Sequence, residues 1–302
     1  NPASIPAFSM NSLTRIALVA AVVSAGPSAL SQGTRETPPA SRDLKTLNTE
    51  PTPEAFLPPD EAIAAVRLPE GFQATMFASE PMVRQPIGMT TDPRGRLWVA
   101  ENYTYSEGVI GFHPELRDQI VILEDSDHDG RADRRTMFWD QAERLTSVAV
   151  GHGGVWALCP PYLLFLPDAN RDDRPDGPPV IHLDGFNADE VRHNVVNGLK
   201  WGPDGWLYGR HGILRTSLPG RPETVAEQRQ PLNCGIWRYH PLREEFEIVA
   251  QGTTNSWGAD WDQHGQMFFI NTVIGHLWHV VPGAHYERMY GVDFNPYLYD
   301  LI

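Results

Sequence analysis

Gly198-Leu-Lys-Trp-Gly-Pro-Asp-Gly-Trp-Leu-Tyr-Gly209 decides how this chain is read, because three other stretches repeat its pattern. They are Gly88-Met-Thr-Thr-Asp-Pro-Arg-Gly-Arg-Leu-Trp-Val-Ala100, Ser147-Val-Ala-Val-Gly-His-Gly-Gly-Val-Trp-Ala-Leu158 and Gly258-Ala-Asp-Trp-Asp-Gln-His-Gly-Gln-Met-Phe-Phe269. Each runs from a small or apolar lead-in through a Gly-bearing turn, mostly with Asp, into an aromatic-bearing strand. Gly95, Gly154, Gly205 and Gly265 are the expected turn glycines, spaced by 59, 51 and 60 residues. One four-stranded propeller blade usually occupies about 40 to 50 residues, slightly less than these steps. Alternation at Leu97 and Val99, or Trp206 and Tyr208, has the period of two that a strand with a buried face requires. An Asp-Gly tip supplies the positive φ of a tight hairpin. The fold expected is all-β: a β-propeller of the six- or seven-bladed type with four-stranded antiparallel blades. Four unrelated hairpins in a β-sandwich are the alternative.

Working outward, strands are expected over 73–78, 97–101, 119–124, 136–139, 155–158, 162–166, 207–210, 235–239, 245–250, 267–270 and 277–281. A short helix capped by Asp60 is expected over 59–66. Four phrases make four blades, or five if 277–302 begins another, so the ring is expected to be incomplete in this chain. The domain reading is upstream residues plus a signal peptide over 1–31, a Pro-rich disordered linker over 32–59, and the propeller over 60–302. The leader rests on Arg15 as the positive region, the apolar run 16–23, and the small-residue pattern Ala29-Leu-Ser31. It implies export to the periplasm or cell surface, and no transmembrane span once the signal is cleaved.

Net charge is −14, from 24 basic and 38 acidic residues, which argues against a nucleic-acid partner. Cys159 and Cys234 are the only cysteines, and sequence leaves two buried thiols and one disulfide equally open.

Two loops carry the spacing of oxygen ligands for a hard cation. Asp125, Asp127, Asp129 and Asp133 occupy positions 1, 3, 5 and 9 of a loop with Gly130 at position 6. Asp168, Asn170, Asp172 and Asp176 repeat the pattern, with Asp173 at the glycine position. Calcium that clamps hairpins is the expectation, with solvated acidic turns capping their own amides as the alternative.

The stretch from His193 through Asn194, Asn197, Arg210 and His211 groups polar side chains around the third phrase. Here the chain resembles soluble quinoprotein glucose and sorbosone dehydrogenases, which carry a His shortly before Gly-x-Leu and a Gly-Pro-Asp-Gly-x-Leu-Tyr turn. It is more similar to the PVC-type haem-binding, or membrane-bound dehydrogenase-domain, proteins, through Leu97-Trp-Val-Ala-Glu-Asn-Tyr-Thr-Tyr105, Cys159-Pro-Pro-Tyr-Leu-Leu-Phe-Leu-Pro167 and Asn233-Cys-Gly-Ile-Trp-Arg-Tyr-His-Pro241. That resemblance implies a sugar or alcohol dehydrogenase with His193 as general base, with electrons passing to a downstream haem domain. It also implies pyrroloquinoline quinone as cofactor, with His211, Arg210 and Asn255 holding quinone or substrate. Thr254 stands where those sugar dehydrogenases place a quinone-binding Arg. No Cys-x-x-Cys-His occurs, so no haem attaches to this chain. The alternative function is a noncatalytic, calcium-stabilised propeller that binds carbohydrate or protein.

Overall fold

The computed structural model describes residues 57–106 and 111–298. The signal peptide and most of the linker lie outside the described residues. Among the described residues, no helix is long and apolar enough to cross a membrane.

Four antiparallel blades follow one another along the chain. Blade 1 orders β1 (Pro86–Thr91), β2 (Leu97–Glu101), β5 (Asp118–Glu124) and β6 (Arg134–Ala142), with a small ribbon, β3 (Tyr105–Ser106) and β4 (Gly111–Phe112), inserted after β2. Blade 2 comprises β7 (Ser147–Gly151), β8 (Gly154–Cys159), β9 (Tyr162–Pro167) and β10 (Val180–Leu183). In blade 3, β11 (Asn197–Trp201), β12 (Leu207–His211), β13 (Gly235–His240) and β14 (Glu245–Thr253) stand in order. Blade 4 has β15 (Ser256–Trp261), β16 (Met267–Asn271) and β17 (Leu277–His279). The last strand, β18 (His285–Arg288), returns to the edge of blade 3 parallel to β14. The stretch after residue 277 thus completes blade 4 and widens blade 3, and begins no fifth blade among the described residues.

Each repeated phrase is the inner hairpin of a blade. Its small, Gly-rich lead-in is the innermost strand itself, since β1, β7, β11 and β15 are the strands that meet their counterparts in neighbouring blades. Small residues permit that approach: a Cβ on Gly88 would come within 3.2 Å of Ser147 Cα. Three of the turns share one geometry, in which Gly95, Gly205 and Gly265 take positive φ and donate to the carbonyls of Asp92, Gly202 and Asp262. Blade 2 differs from expectation. Its two-residue turn puts His152 and Gly153 at positive φ, and Gly154 is already the first residue of the next strand.

The apolar core lies in three layers between blades. Trp98, Ile120 and Ile122 pack against Val148, Val155 and Ala157; Trp156 and Leu158 pack against Leu199, Leu207 and Trp237; Tyr208 and Ile236 pack against Met267, Phe269 and Trp278. Blade 1 buries its other face too, with Val99, Val121 and Leu123 covered by Phe77, Met82 and Val83. Strands buried on both faces read as near-continuous apolar runs, which is why Ile120-Val-Ile-Leu123 shows no alternation. Residues 73–78 form no strand; they lie irregularly, with the Phe77 carbonyl accepting from Ala132 N. The helix spans Pro59–Ala64 with Pro58 at its N-cap, so Asp60 sits inside the first turn and caps nothing. Cys159 and Cys234 are both free and buried, in different blades, which removes the disulfide. Burial pushes both thiols up, Cys234 to about 12.

Side chains latch the blades where the inner strands begin. Asn102 Nδ2 donates to Leu145 O (2.6 Å), Thr146 Oγ1 to Val196 O (2.6 Å), and Asn197 Nδ2 to Ser256 O (3.1 Å). These latches run in turn from blade 1 to 2, 2 to 3 and 3 to 4, pairing carbonyls that burial would otherwise strand.

Candidate functional site at the mouth of the propeller

Antiparallel alternation sorts the loops between two ends. The connections around 102–106, 111–117, 143–146, 184–196, 212–234 and 254–255 gather where inner strands begin, which we call the mouth. The phrase turns and both acidic loops gather at the opposite end.

At the mouth an open pocket of about 760 Å³ is bordered by Phe112, Arg144, Asp189, Glu190, Arg192 and Arg215. Arg144 lies 3.8 Å from Asp189, and Arg215 pairs with Glu190. Arg192 has no side-chain partner among the described residues. Arg144, Glu190 and Arg192 hold left-handed φ of 56°, 55° and 49°, a conformation that non-glycine residues adopt at a cost of order 1 kcal/mol or more. His193 is exposed on the same turn, next to Arg192. Its neighbour Asn194 is buried and fixes the turn, accepting at Oδ1 from Ile213 N.

The other expected positions do not line this pocket. His211 is fully buried at the end of β12. Its Nδ1 lies 2.7 Å from Gly212 O and its Nε2 2.6 Å from Ser217 Oγ, so Nδ1–H donates to the carbonyl and Nε2 accepts from the hydroxyl. Both nitrogens serve the fold, and burial pushes the ring down to about 4. Arg210 and Asn255 come together instead in the seam between blades 3 and 4. Arg210 is the strand partner of Asn197, Asn197 bonds the Ser256 carbonyl, and Ser256 is the strand partner of Asn271. Asn255 N donates to Asn271 Oδ1 at 2.8 Å, and Asn255 Oδ1 accepts from Trp257 Nε1 at 3.0 Å. Asn197, Thr254 and Asn271 belong to this group as much as the expected pair, and only their polarity beside Gly198 and Asn255 hinted at it.

At the far end the two acidic loops adopt one conformation. Asp129 N donates to Asp125 Oδ1 and Asp127 Oδ1 (3.1 and 3.3 Å), as Asp172 N does to Asp168 Oδ1 and Asn170 Oδ1 (3.1 and 3.0 Å). Asp133 accepts from Ser126 N as Asp176 does from Ala169 N. Gly130 and Asp173 both take positive φ. The carboxylates of Asp125, Asp127 and Asp129 lie within 4.8 Å of one another, the span of two oxygens on a cation at about 2.4 Å. In the second loop burial raises Asp168, assisted by Asp172 and Asp173 nearby. Asp173 itself turns to blade 1, where Arg96 grips it with two bonds of 2.7 Å.

A family model described as a domain of unknown function (DUF7133) matches residues 58–297. No curated protein matches the sequence. In fold the chain is similar to a putative oxidoreductase (glucose dehydrogenase) of Thermus thermophilus, at 18% identity and a TM-score of 0.48 over 72% of this chain and 69% of that one. It is similar to the same degree to the PQQ-bound aldose sugar dehydrogenase of Streptomyces coelicolor, at 18% identity and 0.47 over 72% and 67%. A periplasmic gluconolactonase of Pseudomonas aeruginosa follows at 13% identity and 0.33 over 64% and 55%.

Proposed function

The chain belongs to the DUF7133 family, and from that premise we propose that it is an exported propeller that oxidises a sugar or alcohol at its mouth. The observation that carries this reading is the mouth pocket that Arg192 lines one residue before His193: Arg144 and Arg215 border it in pairs with Asp189 and Glu190, and Arg192 is left without a carboxylate among the described residues. Planar guanidinium forks match carboxylates two bonds at a time, and the volume falls within the range of about 300 to 1,000 Å³ usual for ligand sites. Arg192 is therefore the open donor for a carboxylate of the quinone, in place of the Arg that Thr254 replaces, with Arg144 and Arg215 adding positive charge beside it. A bound pyrroloquinoline quinone supplies the two-electron acceptor. His193 takes the hydroxyl proton as the C–H bond of the same carbon breaks with its electron pair, leaving a carbonyl product. Buried His211 positions the mouth loops through Gly212 and Ser217 and touches no substrate. Electrons leave for a haem domain elsewhere in a longer protein, and the basic start and apolar run 16–23 support export to the periplasm or cell surface.

Calcium in this reading is structural. Asp125, Asp127, Asp129 and Asp133, and in the next blade Asp168, Asn170, Asp172 and Asp176, clamp hairpins at the end opposite the pocket, so the ion stiffens blades and takes no part in the oxidation.

The test is dye-linked oxidation of a sugar and alcohol panel with added quinone and calcium. Activity that falls at least about 100-fold in His193→Ala supports the reading, as does weaker quinone uptake in Arg192→Met. Absence of quinone binding by titration, or undiminished activity in His193→Ala, removes it. Saturable sugar binding without turnover would favour the noncatalytic binding module.

A further inference from the structure

Arg210 is 5% exposed, yet its Nε and Nη1 have no hydrogen-bond partner. Alternation along β12 puts it on the face that carries Tyr208, toward blade 4. Its guanidinium lies over Gly198, where any Cβ would overlap it. Two more buried atoms without partners belong to the same linked group, Asn197 Oδ1 and Asn271 Nδ2, and a third, Thr254 Oγ1, stands one residue before Asn255. Buried polar atoms in native proteins are nearly all paired, and a lone buried charge is the most expensive exception. No carboxylate among the described residues bonds this guanidinium, so its compensating charge is missing from the described fold. The unpaired donor atoms are two guanidinium nitrogens, Nε and Nη1, with the Asn271 amide nitrogen and the Thr254 hydroxyl.

We infer that the seam between blades 3 and 4 is a binding site for a small monovalent anion, held by Arg210 with Asn271 and Thr254. A carboxylate the size of formate or acetate suits the guanidinium fork, and chloride satisfies the same donors as a point charge. The enclosure that leaves Arg210 5% exposed sets the size limit. The site is separate from the mouth pocket, which none of these residues lines.

Thermal unfolding of the whole chain at fixed ionic strength tests this, with formate, acetate or chloride exchanged for bulky gluconate. A ligand that binds only the folded state raises Tm in proportion to the logarithm of its concentration above Kd. A rise of roughly 5 °C at about 100 times Kd is expected with the small anions, and it should vanish in Arg210→Met. Thr254→Val, which keeps shape and removes one hydroxyl, should move the onset of the rise to a several-fold higher anion concentration and keeps the test decisive if Arg210→Met does not fold. Equal Tm in all four salts overturns the inference, as does a rise that survives in Arg210→Met or is unmoved in Thr254→Val. A separate arm adds pyrroloquinoline quinone. An Arg210-dependent shift with quinone and none with the small anions would assign the seam to the cofactor and overturn the inference, while leaving the proposed oxidation intact.

Discussion

Arg96 and Arg210 are buried to the same degree, one in the seam between blades 1 and 2, the other between blades 3 and 4. Arg96 meets Asp173 through two bonds of 2.7 Å and Asp92 through Nε at 2.9 Å. Asp173 above all, then Asp92, holds its guanidinium above the ordinary arginine value. Arg210 has no such partner among the described residues, and burial pushes it down to about 10. The same side chain is thus a clamp in one seam and an uncompensated charge in the other. The difference teaches that burial alone does not tell a structural arginine from one that awaits a ligand; the acceptors within reach do.

The largest expected effect breaks the clamp. Asp173→Ala removes two of the bonds to Arg96 and leaves a buried cation half paired, which should destabilise the chain by about 3 kcal/mol in urea unfolding. Arg210→Met, in buffer without small anions, should change stability by less than about 1 kcal/mol or raise it, because it exchanges a lone buried charge for an apolar stem. If the two variants lose equal stability, Arg210 has an internal partner and the contrast fails.

Acidification should separate the same regions by pH window. Burial works to raise Asp92, but hydrogen bonds from Trp98 and Arg96 hold it below the ordinary value, and Arg96 holds Asp173 there too. Their stabilising share is present above the unfolded value of about 3.9 and is lost only as pH falls through the lower folded values. His211, beside Arg210 in the strand, is depressed from about 6.5 in the unfolded chain to about 4. Below pH 6.5 the unfolded chain binds a proton that the folded chain refuses, so stability falls by about 1.4 kcal/mol per unit down to about pH 4. Asp118, raised by burial against four hydrogen bonds, opposes this trend when it takes up its proton in the folded state. NMR titration of the His211 ring isolates its share; a midpoint near 6.5 would break the assignment.

How much of this was legible in sequence depended on how local the cause was. The inner hairpins were, because a Gly at positive φ and a period-two strand are decided within a dozen residues. Their lead-ins were not read as strands, because Gly88, Ser147, Gly198 and Gly258 lack the β-branched bulk of an ordinary strand. Gly88 is small because Ser147 of the next blade presses on it, whereas Gly198 and Gly258 are hemmed in by Arg210 and Ile270 of their own blades. The His193 turn was found from composition, whereas the role of His211 depended on Ser217 and the chain fold that brings it there. Asp173 looked like a defect at a glycine position. Its reason is Arg96, 77 residues earlier, which only blade packing brings near. Arg210 and Asn255 were singled out for a shared ligand, and they do share a seam, but through Asn197 and Asn271 and away from the pocket beside His193.

The smallest effect is expected at Gly88, read against Gly198, the inner-strand glycine of the other seam. Gly88 has ordinary φ, and a Cβ there would approach Ser147 Cα at 3.2 Å, a contact that a few tenths of an ångström of adjustment relieves. Gly88→Ala should therefore cost under about 1 kcal/mol. Gly198 sits at φ of 70°, where an L side chain is strained by about 1 to 3 kcal/mol before contacts are considered. Its new methyl would also displace the Arg210 guanidinium. Gly198→Ala should lose about 2 kcal/mol and abolish the rise in Tm with formate, while Gly88→Ala keeps that rise in full. If formate still stabilises Gly198→Ala, the guanidinium is not held over this glycine, and the contrast between the two seams loses its structural basis.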